Sequence, residues 1–143
     1  MAVNEILVGA TPQTVWEVLA DPHAYRAWVT GTKAIRGADD GFPRAGTSLY
    51  HRVGAGPLTL ADRTKVLRSE PGRLLLLDAG LGPLGSARVQ IELTPTRDGT
   101  HVVLRESAGR GPNRLLQPVG DAALRGRNRW SLSRLKELAE SRA

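Results

Sequence analysis

The sequence predicts an α+β fold: a seven-stranded, curved antiparallel sheet wrapped around one long C-terminal helix, with two short helices after the first strand. Three observations predict it. From Lys33 to Ser107, short alternating runs follow one another, punctuated by glycine and proline, and no helix-length periodic segment interrupts them. From about Asn113 to Ala143 the pattern turns helical. Ahead of the strands, Thr11-Pro12 and Asp21-Pro22 mark two helix starts in quick succession. A lone long helix must bury its apolar stripe against another layer, and the sheet is the partner the sequence offers.

Size and composition fit this picture. A chain of 143 residues argues for one domain spanning 1–143, large enough to bury a core without staples. The absence of cysteine excludes disulfides, thiolate zinc sites and thiol nucleophiles together. The longest apolar run, Leu74 to Leu77, is far short of the roughly 20 residues of a membrane span, so no membrane insertion is expected. Met1 to Glu5 has neither the basic start nor the apolar stretch of a signal peptide, and a cytoplasmic location is expected. The charge is +6, and its distribution is uneven: from Arg105 onward there are nine basic and four acidic residues. That segment reads as a solvated, arginine-rich helix face. Nucleic acid is not an expected partner, because no aromatic residues alternate with the arginines to stack bases.

The elements follow in order. Asn4 to Ala10 is β-prone, with Ile6 and Val8 alternating. Thr11 suits an N-cap and Pro12 the first helical position, where its missing N–H costs nothing. Val15, Trp16 and Leu19 form that helix's stripe, and Asp21 caps a second helix carrying Tyr25 and Trp28 on one face. Six strands are then expected at Lys33–Arg36, Thr47–Val53, Leu58–Arg68, Arg73–Ala79, Ala87–Thr94 and Thr100–Ser107. In the last helix, Leu124, Asn128, Ser131, Leu132, Leu135, Leu138 and Ala139 fall on one side. Leu116, Val119 and Ala123 lie on another azimuth, so either the helix kinks at Pro118 and Gly120 or its regular part begins near Pro118.

Three stretches carry a resemblance: Ala10 to Pro22 (ATPQTVWEVLADP), Asp98 to Glu106 (DGTHVVLRE) and Arg127 to Lys136 (RNRWSLSRLK). With the element order, they make the chain similar to the helix-grip proteins of the START-like (SRPBCC) superfamily, which includes polyketide cyclase/dehydrases and lipid-transport proteins. The resemblance implies a cavity between the sheet and the long helix. It says less about activity, since members range from carriers and sensors to cyclases.

Turn geometry assigns the inward side chains. A two-residue turn at Asp98-Gly99 sets Leu93 opposite Leu104, Ile91 opposite Glu106 and Glu92 opposite Arg105, which carries Glu106 onto the apolar face. Across Gly54 to Pro57, Val53 faces Leu58, His51 faces Leu60 and Leu49 faces Asp62. His51 and Asp62 become diagonal neighbours, sharing a face with Thr64, Leu49, Val53, Leu58, Leu60 and Val66. A two-residue turn at Pro71-Gly72 turns Leu75, Leu77 and Ala79 inward and Asp78 outward; a three-residue turn reverses this.

Joined to the implied cavity, these faces give a candidate wall of Trp28, His51, Asp62, Thr64, Leu75, Leu77, Glu106, Asn128 and Leu132. By position, Gly54, Gly56 and Pro57, with Gly82 and Pro83, resemble the two loops that guard the cavity mouth in ligand-gated members. Buried polar groups without partners cost about 1–3 kcal/mol each, so the inward ones must bond to one another, to water or to a ligand. Arg127, at the stripe's edge, is a candidate partner for Glu106.

The leading functional expectation is a carrier or sensor for a small, mostly apolar molecule such as a lipid or polyketide. A polyketide cyclase or dehydratase is the alternative, with His51 and Asp62 as its acid/base unit and Glu106 as a further candidate. Asp62 and Glu106 sit three strands apart in the family's order, roughly 14 Å at about 4.8 Å per strand, which disfavours a paired-carboxylate mechanism. The third reading is a module that binds an acidic protein or RNA through Arg125, Arg129 and Arg134.

Other signals carry less. Gly80 to Gly85 matches the form GxGxxG, but a strand follows it instead of a helix N-terminus, and Pro83 removes a donor, so no nucleotide cofactor is expected. His23, His51 and His101 are not at metal-ligand spacing, and no metal is expected. His23 and His101 read as surface residues. Trp28 packs in the core or the cavity wall, and Trp130, off the stripe, either packs on a sheet edge or marks a contact surface.

Overall fold

Thr11 caps the first helix through its hydroxyl, which accepts from the Thr14 N–H at 3.2 Å, and Pro12 opens that helix as expected. The computed structural model describes residues 1–30, 32–55, 57–112 and 117–143, with the backbone alone for 33, 53–55 and 117–119. Strand β1 (Ala2–Val8) leads into α1 (Pro12–Leu19). Asp21 then accepts from the His23 N–H at 3.0 Å and starts a 3-10 turn that runs into the short α2 (Tyr25–Trp28). The strands β2 (Thr32–Ala38), β3 (Ser48–Ala55), β4 (Leu58–Glu70), β5 (Leu74–Gly80), β6 (Ser86–Thr96) and β7 (Gly99–Ala108) follow, and α3 (Gln117–Ser141) closes the order.

All neighbouring strands pair antiparallel in the order β1-β7-β6-β5-β4-β3-β2, giving the helix-grip arrangement. The faces assigned across the β3–β4 and β6–β7 turns are as implied, but the two registers differ. His51 pairs with Asp62 and Val53 with Leu60, because the hairpin closes on the pair Ala55 and Leu58. Likewise Ile91 pairs with Leu104 and Leu93 with Val102, because Arg97-Asp98 forms the turn between Thr96 and Gly99. Both slips are of two residues, which moves no side chain to the other face, so the apolar pattern cannot detect them. Glu92 is therefore diagonal to Arg105, and the two still meet at 2.8 Å.

The β4–β5 hairpin corrects the turn and keeps its consequence. Glu70 pairs with Leu74 around a three-residue turn, which alone would turn Leu77 outward. A bulge at Leu67, between the pairs Val66/Leu77 and Arg68/Leu76, restores the parity. Leu75 and Leu77 are buried, and Asp78 on the outer face binds Arg110 at 3.0 Å.

Helix α3 runs without interruption from Gln117, so the regular helix begins near Pro118; residues Asn113 to Leu116 lie outside those described. Asn128, Ser131, Leu132, Leu135 and Ala139 are buried along its stripe, with Leu124 and Leu138 partly so. The helix also covers the edge of β1: the Asn4 amide donates to the Arg125 carbonyl at 2.9 Å, and the Gly9 N–H donates to Glu140 at 2.8 Å. Leu75, Ile91 and Val102 from the sheet meet Leu132 and Leu135 from α3 in the core, with Val15, Val18 and Leu19 of α1 at one end.

Candidate functional site

The core does not fill the space under the whole sheet. A cavity of about 340 Å³ remains between α2, the inner face of β3 to β7 and the middle of α3. Its apolar wall includes Leu49, Leu77, Ile91 and Leu104, and its polar side includes His51, Thr64, Glu106, Arg127, Asn128 and Ser131.

Six of the sequence-predicted residues border this cavity: Trp28, His51, Thr64, Leu77, Glu106 and Asn128. Leu75 and Leu132 are fully buried in the core and do not border the cavity. Asp62 faces the same side of the sheet but is turned to the β5–β6 connection, where its carboxylate accepts from the Gly82 N–H at 2.8 Å, and it also accepts from the Arg63 N–H at 2.7 Å. Gly80 permits that approach, since a Cβ there would lie 2.2 Å from the Asp62 carboxyl carbon. Leu58 and Leu60 share this face as well, yet Leu58 is 81% exposed, because the ends of β3 and β4 extend past the packed layer.

Of the two candidate mouth loops, the β5–β6 connection contributes to the wall through Leu81, which caps the 3-10 turn Gly82–Leu84, and Leu84 within it. A strand follows it, as the sequence required. In the other loop, Gly54 pairs with Thr59, Pro57 is exposed and Gly56 lies outside the described residues.

Glu106 is only 4% exposed, and its charge is met on the spot. Arg127 approaches both carboxylate oxygens, at 2.6 and 2.7 Å, and the Asn128 amide donates at 3.0 Å. Successive residues at one end of the stripe thus supply a cation and a neutral donor to one acid. Ser131 accepts from the Thr30 N–H at 3.1 Å and donates to the Thr30 hydroxyl at 3.0 Å, tying the end of α2 to α3. Thr30 carried no sequence signal, because its partner is 101 residues away. Tyr25, which also borders the cavity, was legible only through its spacing from Trp28.

His51 meets Thr64 at 2.8 Å through Nε2. Burial pushes its pKa below the ordinary histidine value; Asp62 pulls upward, and Arg36 adds to the lowering. The imidazole is therefore neutral near pH 7. The unfolded chain binds its proton more readily, so the stability this site contributes is complete above about pH 6.5 and is lost as pH falls toward and through the folded-state value. Urea denaturation should show wild-type stability falling from pH 7 to pH 5 more steeply than that of His51→Gln. Parallel pH profiles would refute the assignment.

His23 is exposed, His101 lies 3.6 Å from Glu5 on the outer face, and the described residues contain no group of three or more metal-type side chains. Trp130 is 58% exposed with the Arg134 guanidinium 5.4 Å from its ring centre, and Arg125 and Arg129 are exposed on the same helix. Among the described residues no helix is long and apolar enough to cross a membrane.

Residues 2–140 match the family described as polyketide cyclase/dehydrase and lipid transport. The chain belongs to that family. Solved structures agree on the fold of this polyketide cyclase/dehydrase and lipid-transport family member. A protein of Nitrosomonas europaea is 16% identical, with a TM-score of 0.75, covering 99% of this chain and 94% of its own. The di-domain ARO/CYC StfQ from the steffimycin biosynthetic pathway is 15% identical, with a TM-score of 0.75 over 98% of this chain and 50% of its own. The Aha1 dimer protein of Colwellia psychrerythraea is 18% identical, with a TM-score of 0.69 over 97% and 95%. At such identities the likeness is one of fold. No curated protein sequence matches the chain.

Proposed function

We propose that this family member binds a small, mostly apolar molecule in the cavity between the sheet and α3, as a carrier or sensor. The observation that carries this reading is the cavity itself: about 340 Å³ of space behind apolar walls, at the lower end of the roughly 300–1,000 Å³ of ligand pockets. Lipid transport stands in the family's description, and StfQ is described as an ARO/CYC, so both a carrier and a cyclase have precedent on this fold. The geometry favours binding over acid/base chemistry, because His51 bonds to Thr64 while Asp62 bonds to the backbone of the mouth loop. The connection held by Asp62 is the segment through which a ligand enters.

Ala79 pairs with Ala87 on the inner face, and both border the cavity. Phenylalanine at position 79, whose cross-strand neighbours are Thr64 and Ala87, adds bulk to the cavity wall. Native mass spectrometry of gently purified protein should show a bound small molecule, and Ala79→Phe should weaken its retention tenfold or more while the protein stays folded. If nothing co-purifies and a panel of apolar compounds neither binds nor raises Tm, the reading fails.

A further inference from the structure

Tyr25, Trp28 and His51 are buried, and all three border the same cavity. Each also carries a buried polar atom with no hydrogen-bond partner: Tyr25 Oη, Trp28 Nε1 and His51 Nδ1. Tyr25 and Trp28 are three residues apart in α2, their rings edge to face with centres 5.3 Å apart, so one element holds two of the orphaned groups side by side. Orphaned buried polar atoms are costly, and the three residues that carry them line one cavity, so a ligand held there with a matching group would relieve them.

Their chemistry defines that partner. An indole N–H can only donate. Burial pushes the Tyr25 phenol upward, so its O–H is present to donate as well. The charges that border the cavity are already used on each other, Glu106 against Arg127 with Asn128 as third member. A carboxylate ligand would enter beside Glu106 with no free cation to receive it, and an ammonium ligand would find the acid already paired and two donors left unsatisfied.

We propose that the cavity selects an uncharged ligand whose polar end is a hydrogen-bond acceptor, such as a ketone or ester carbonyl, received by the donors of Trp28 and Tyr25. The apolar remainder of the ligand lies among Leu49, Leu77, Ile91 and Leu104. This rests on the cavity-binding reading above and narrows its ligand class.

The test is equilibrium dialysis against four probes with one ring system: acetylnaphthalene, naphthalene, naphthoate and naphthylmethylamine. The ketone should bind about tenfold more tightly than the carboxylate or the ammonium compound, and more tightly than naphthalene. Trp28→Phe, which keeps a ring but removes the donor, should cut the ketone's advantage over naphthalene about fivefold. Tyr25→Phe provides a second, more conservative variant with the same expectation. Naphthoate binding as tightly as the ketone, or a ketone advantage that survives both variants, overturns the proposal. Naphthalene binding with no ketone advantage overturns the ligand class alone. If no probe binds, naphthalene included, the cavity-binding reading falls with it.

Discussion

Replacing Arg127 with methionine should destabilise the protein by about 2–3 kcal/mol. The loss comes from Glu106, which is 4% exposed and has Arg127 against both carboxylate oxygens, at 2.6 and 2.7 Å. Breaking a fully buried pair by removing one partner costs about 3–5 kcal/mol. Here Arg127 keeps 36% of its side chain exposed and Asn128 still donates to the acid, so the lower figure applies. A second substitution separates lost charge pairing from lost packing. Adding Glu106→Gln to Arg127→Met removes the stranded charge and should recover most of the stability, giving a large coupling energy in the double-mutant cycle. Chemical denaturation at neutral pH measures all four corners. An Arg127→Met protein within about 0.5 kcal/mol of the parent would show that the pair does not hold the cavity end of α3.

Gly85→Ala should cost about 3 kcal/mol or more, from two causes at one position. Gly85 has φ +103°, in a region that residues with a Cβ rarely occupy. A Cβ there would also lie 1.8 Å from the Arg110 carbonyl oxygen and 2.7 Å from Gly111 Cα, which are backbone atoms that cannot swing aside. Those atoms are held in place by short-range pairing of the two connections. The Ser86 N–H donates to the Arg110 carbonyl at 2.8 Å, and the Gly109 N–H donates to the Ser86 carbonyl at 2.8 Å. Opening that contact loosens the β5–β6 connection, which carries Leu81 and Leu84 of the cavity wall. Thermal denaturation reads the loss directly, and an unchanged Tm for Gly85→Ala would exclude the close approach. Two glycines of the GxGxxG form have packing reasons: Gly80 admits the Asp62 carboxyl group and Gly85 admits a neighbouring backbone.

Much of the architecture was legible because it is written locally. Thr11 and Asp21 cap their helices with their own side chains, so the helix starts needed no knowledge of the rest of the chain. Inward and outward faces followed from an alternation of period two, which places Glu106, His51 and Thr64 inside whichever even slip the strands adopt. The stripe of α3 placed Asn128 and Ser131 among apolar residues in the same way.

What the sequence determined by itself is the order of elements, their caps and the side of the sheet on which each polar group sits, because these depend on neighbours a few residues apart. Tertiary structure decided the registers of two hairpins, the bulge at Leu67 that offsets a longer turn, and the partners of the polar groups. It engaged the Asp62 carboxylate with the Gly82 N–H although His51 is its cross-strand partner, and it separated Leu77, which borders empty space, from Leu75, which does not. The physical reason is that a cavity is a difference between the volume a curved sheet encloses and the volume side chains fill. That difference depends on distances between α3 and strands far away in the chain, which no local pattern encodes.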